Sequence, residues 1–237
     1  MKRTRTEVGP ADAATDDDDD DDDGVTDLHA IAAVANDPTA AATILEERPD
    51  LTVDAVDSEG YPALMYAAKS GHHLFVQGLL EAGAAVDAHP QGPGGLTALA
   101  EACFYMNDYT NNPQKHPTFR SSDLESLLFE GYFSKLPRPD YVETIRLLLE
   151  AGADPNLRAS LGEELEEQLS PLDLLFYESS TRKTGKVAAR ISELLKMHGA
   201  DVTSRGPNQD LTAAETAHAM GFKAAAAILD PVGKGRD

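Results

Sequence analysis

The sequence predicts an all-α fold, a solenoid of stacked helix–turn–helix units behind an acidic N-terminal tail. Three observations carry that reading. A phrase recurs: Leu79-Leu80-Glu81-Ala82-Gly83-Ala84 returns as Leu148-Leu149-Glu150-Ala151-Gly152-Ala153-Asp154-Pro155-Asn156, and again, loosened, as Leu194-Leu195-Lys196-Met197-His198-Gly199-Ala200-Asp201. A second phrase precedes it: Gly60-Tyr61-Pro62-Ala63-Leu64-Met65-Tyr66-Ala67-Ala68, then Gly95-Leu96-Thr97-Ala98-Leu99-Ala100-Glu101-Ala102-Cys103, with looser copies from Ser170 and Asp210. Apolar residues then follow at helical spacing, as Val76, Leu79 and Leu80 do at i, i+3 and i+4. Self-similarity at such a period marks an array in which one unit cannot bury its own apolar face and needs neighbours.

Each unit reads as a turn, a short Ala-rich helix and a second helix. Thr97, Ser170 and Thr212 can each accept a hydrogen bond from a free amide of the first helical turn. Alanine at the inward positions lets neighbouring helices approach closely. Gly83, Gly152 and Gly199 stop the second helices, because glycine adopts the left-handed conformation that closes a helix C-terminus.

These phrases resemble the ankyrin repeat family over about residues 25–230, specifically at the Leu-Leu-x-x-Gly-Ala-Asp end and loosely at the Thr-Pro-Leu-His end. The resemblance implies an ankyrin-repeat solenoid with a hairpin finger, an inner helix and an outer helix per repeat. By that register the units are 27–56, 57–89, 93–156, 157–202 and 203–230, between a tail at 1–24 and another at 231–237. It also implies contact positions for a protein partner: Ser58, Glu59, Tyr61, Lys69 and Ser70 in the second unit, Leu96, Phe104 and Tyr105 in the third, and Tyr177 and Glu178 in the fourth. Asn156, eight residues after Leu148, resembles the family's site of asparagine β-hydroxylation; the competing reading is that it bonds the backbone of its finger turn.

The array breaks its own period by insertion. Leu64 to Leu79 spans 15 residues, whereas the equivalent Leu99 to Leu148 spans 49. The 34 extra residues, about 107–140, fall between the inner and outer helix of the third unit. The fourth unit gains about seven residues at the same place, around 179–186, and six in its finger, somewhere around the seven-residue stretch Leu161–Glu167. The window Phe104–Tyr141 holds 8 of the 14 Phe and Tyr residues, and Ser122–Phe133 within it has the pattern of a capped helix. Lys115, Arg120, Lys135, Arg138, Arg182, Lys183, Lys186 and Arg190 put 8 of the 20 basic residues on this turn edge.

The 237 residues carry 41 acidic and 20 basic side chains, a net charge of −21. The first 24 residues contribute −7 of this, and their eight-residue run Asp16–Asp23 has nothing apolar to bury, so disorder is expected there. An acidic surface repels nucleic acid and anionic membranes and favours a basic protein. No apolar run approaches the roughly 20 residues of a membrane span, and no signal peptide is expected. The single cysteine, Cys103, rules out a disulfide framework and suits a reducing intracellular compartment, cytoplasmic or nuclear; its position is that of a buried small residue. Lys2-Arg3-Thr4-Arg5 has the form of a minimal nuclear import patch.

No Gly-rich phosphate loop and no Cys/His cluster with zinc spacing occurs, and adjacent His72 and His73 cannot chelate from one helix face. The expectation is therefore a monomeric binding module or adaptor, with no catalytic residues, metal or cofactor, that holds a protein partner on its concave face and insertion. The alternative is a charge-based regulator that sequesters basic proteins or cations through its tail and surface. Ionic strength separates the two, since sequestration collapses in salt and an aromatic-anchored interface persists.

Overall fold

The computed structural model describes residues 27–90, 95–111, 138–160, 168–177, 185–206 and 211–230, with the side chains of 107–111 excepted. Among these, helices α1 (Asp27–Val34) and α2 (Ala40–Glu47) form a first antiparallel pair. α3 (Ala63–Ser70) and α4 (His73–Glu81) form the second, α5 (Ala98–Asn111) and α6 (Tyr141–Glu150) the third. α7 (Pro171–Leu175) and α8 (Gly185–Met197) form the fourth, α9 (Ala213–Ala219) and α10 (Lys223–Leu229) the last. One layer runs α1–α3–α5–α7; behind it α2, α4, α6, α8 and α10 pack in sequence. Isolated antiparallel bridges, Val56 to Pro62, Ala159 to Leu169 and Arg205 to Thr212, close the necks of the fingers between pairs.

The two layers differ in side-chain size because they pack differently. Ala63, Ala67, Ala68, Ala98, Ala102 and Ala217 of the inner layer are fully buried, and their small volume sets the helices close. Phe75, Val76, Leu79, Ile145, Leu148, Ile191 and Leu195 of the outer layer fill the space behind them and are also fully buried. Truncating any one of these leucines to alanine would cost about 2–5 kcal/mol.

The helix ends are built as the sequence predicts. The Ser170 hydroxyl accepts the Asp173 amide at 3.2 Å, and the Asp173 carboxylate accepts the Ser170 amide at 3.0 Å, a reciprocal capping box. Thr212 and Glu215 repeat it in α9, and Thr97 Oγ1 accepts the Ala100 amide at 3.2 Å in α5. Gly83, Gly152 and Gly199 adopt φ of 92°, 96° and 91°. In α5 the structure departs from the boundary that register predicts: the insertion is expected from about 107, yet the helix continues to Asn111, 14 residues against eight in α3. The remainder of the insertion, with its predicted helix Ser122–Phe133, the acidic finger 161–167 and the tail 1–24 lie outside the described residues.

At the first three of the four junctions, a side chain reaches from one unit to the backbone of the next at one recurring register. Asp54 accepts the Ala85 amide at 2.9 Å, Asp87 accepts that of Asp154 at 3.1 Å, and Asn156 Oδ1 accepts that of Asp201 at 2.7 Å. Each acceptor pairs with the residue two past the helix-ending glycine of the following unit. Buried histidines add to this: His29 Nε2 lies 2.8 Å from the Tyr61 carbonyl and His72 Nδ1 3.0 Å from that of Ala32. His72 is thus a structural bridge between pairs.

Candidate partner-binding face

The inner helices and the finger of the second unit bring one group of side chains together. Asp57 organises that finger. Its carboxylate accepts the amides of Glu59 at 3.0 Å and Tyr61 at 2.9 Å and the Tyr66 hydroxyl at 2.6 Å. Tyr61 and Tyr66 then lie 6.1 Å apart, centroid to centroid. Phe104 and Tyr105, one turn beyond Glu101 on α5, meet edge to face at 5.1 Å and 82°. Phe104 also reaches Tyr177, just past α7, at 6.2 Å. The Lys69 ammonium sits over the Tyr105 ring, 4.7 Å from its centroid.

Most of the residues assigned by register therefore share one face. Ser58 and Glu59 are exposed at the finger; Tyr61, Lys69, Phe104, Tyr105 and Tyr177 are partly exposed. Two assignments need correction. Ser70 is 1% and Leu96 7% exposed: Ser70 is the last residue of α3, turned into the interior beside Gly71, and Leu96 packs in the core ahead of α5. Neither can touch a partner. Glu178 lies outside the described residues.

Beneath this face is a group that register did not single out. Glu101 is 5% exposed, and its Oε2 has no hydrogen-bond partner among the described residues. Burial pushes its carboxyl up to about 7, against the opposing attraction of Lys69. Its charge is felt in turn by Tyr61, whose hydroxyl is held above its ordinary value by burial first and by Glu101 next. The sequence did hold a signal, a lone carboxylate inside the Ala-rich run Leu99-Ala100-Glu101-Ala102-Cys103.

Cys103 is fully buried, and burial raises its thiol, which keeps it protonated. The Asn156 side chain is engaged at both ends, donating to the Gly199 carbonyl at 2.9 Å and accepting from Asp201, which accounts for it as a bridge between units. On the turn edge Arg138, Lys186 and Arg190 are exposed, and Arg190 already pairs with Glu193 at 2.6 Å; Lys115, Arg120, Lys135, Arg182 and Lys183 are outside the described residues. Among the described residues no three His, Cys, Asp or Glu side chains are grouped for a metal, and no helix is long and apolar enough to cross a membrane.

No curated protein matches the chain. A family model described as ankyrin repeats (3 copies) matches residues 10–90. That stretch begins within the expected acidic tail and takes in α1–α4 and the finger between them. The repeated helix pairs, the glycine-closed outer helices and this match agree: the chain is an ankyrin repeat protein.

Proposed function

We propose that this protein is an interaction module that holds a segment of a protein partner along the inner helices and fingers. The contacts are Ser58, Glu59, Tyr61, Lys69, Phe104, Tyr105 and Tyr177. One observation carries the reading: Phe104, Tyr105 and Tyr177, drawn from two successive units, form a joined, partly exposed aromatic patch at the centre of that face. Ankyrin repeats generally mediate protein–protein interaction, and large rings that gain further burial on binding are the side chains that dominate interface energetics. The acidic balance of the chain favours a basic segment.

The test is partner capture with the intact protein beside Phe104→Ala and Tyr177→Ala, each checked for folding, in low and in high salt. Loss of about 1–3 kcal/mol of affinity in either variant, persisting in salt, is expected. Normal binding by both variants would refute the reading. Binding by all forms that vanishes in salt would instead favour sequestration by charge, the reading supported by the net −21.

A further inference from the structure

Resting on the reading that a segment lies along this face, we propose that the junction of α3 and α5 receives one cationic side chain of that segment, an arginine or lysine, with Glu101 as its counter-charge and the Tyr105 ring as the face it rests on.

Four observations converge on this junction. Glu101 is nine-tenths buried and presents an oxygen with no partner among the described residues, which is costly unless a cation or donor completes it. Glu101 and Tyr105 are four residues apart on α5 and so lie on one face, one turn from each other. Tyr61 and Lys69, from the preceding unit, are each in electrostatic reach of Glu101. A cation is already drawn there, since the Lys69 ammonium rests 4.7 Å over the Tyr105 ring. Cations over tyrosine faces gain most where water is excluded.

Lys69 does not complete the site. Its attraction fails to offset the burial of Glu101, whose carboxyl still titrates near 7. It is tethered at the end of α3 and partly exposed, so its ammonium can swing outward into solvent. An arriving guanidinium or ammonium would take over the Tyr105 face, and Glu59, exposed on the finger, adds negative charge nearby. Lys69 is then a tethered competitor for the position that the partner's cation occupies. This distinguishes it from an ordinary contact residue, since its removal should strengthen binding.

The probes are N-acetylated arginine amide, whose only charge is its guanidinium, and N-acetylated norleucine amide, which carries none, titrated into the full-length protein while the ring resonances of Tyr61 and Tyr105 are followed by NMR. Saturable ring shifts with the arginine amide and none with the norleucine amide are expected. Glu101→Gln should weaken that binding by about tenfold or more, and Lys69→Met should tighten it severalfold. Glu101→Gln keeps the shape and removes the buried charge, so it is expected to fold, and Lys69→Met provides a second, oppositely signed readout. Equal shifts with both amides, unchanged affinity in Glu101→Gln, or weakened affinity in Lys69→Met would each overturn the proposal. Such a failure leaves the aromatic face to its own test with Phe104→Ala. Conversely, an unaffected partner in that test, with the arginine amide still bound here, would sink the face and not the cation site.

Discussion

At the scale of single residues, the buried Glu101 ties stability to pH. A carboxyl that titrates at 4.5 in the unfolded chain and near 7 when folded binds its proton more tightly in the folded state. Its contribution to stability is therefore fully present below about pH 4.5 and is lost as pH rises through 7. The difference in unfolding free energy between wild type and Glu101→Gln should move against the wild type over that window. At 1.36 kcal/mol per unit the change is on the order of 3 kcal/mol. Chemical denaturation of both proteins at pH 4.5, 6 and 8 checks this, and parallel profiles would show that Glu101 is solvated. Sequence register located Tyr61, Lys69, Phe104, Tyr105 and Tyr177 on a common face, but it could not see burial. Ser70 and Leu96 look like surface positions in the repeat phrase. The neighbouring units that cover them are specified by residues far along the chain, as Tyr141 shows by bonding the Lys69 carbonyl at 2.9 Å from 72 positions away. Glu101 escaped for the opposite reason: a glutamate in a helix is expected in water, and only the packing of α3, α6 and α7 on α5 removes it.

At the scale of helices and turns, the local signals were the legible ones. Ser170, Thr212 and the closing glycines act through bonds within a few residues, so their types alone predict what they do. The length of α5 was not legible in this way, because register assigns every inner helix the same span and the residues Asn107–Asn111 continue the helix past it. Two glycines that look alike in sequence also differ in what surrounds them. Gly71, which closes α3 with φ of 66°, is overlain by the chain returning from the insertion: a Cβ there would lie 2.7 Å from Pro139 Cβ, and the Gly71 carbonyl accepts the Asp140 amide at 2.9 Å. Gly83, with φ of 92°, faces open space. Gly83→Ala should therefore cost about 1 kcal/mol, the backbone strain alone. Gly71→Ala should cost at least about 2 kcal/mol, since overpacking is added. Thermal or urea unfolding of the two variants measures the gap; equal costs would mean that Pro139 does not press on α3. Ser170→Ala, which removes a reciprocal cap, should lose about 1 kcal/mol in the same assay.

At the scale of the whole molecule, stability is a sum over neighbouring units, and each unit is only as secure as the faces it shares. The acidic segment 1–24 carries −7 of the net charge and holds few residues able to join such a face. Its deletion should leave the melting temperature nearly unchanged, and should weaken the binding of basic proteins only at low ionic strength. A large drop in melting temperature would show that the segment packs on α1. The family match that starts at residue 10 makes this deletion informative about where the array begins. The side chains of Asp54, Asp87 and Asn156, each holding a backbone amide of the next unit, have a mechanical consequence. They form links in series. A pull between the two ends loads every link equally, and a parted link leaves its neighbours intact. Stretched in this way, the molecule should lengthen in discrete steps of unequal size, the longest from the unit that carries the 34 extra residues, and force–extension records would show it.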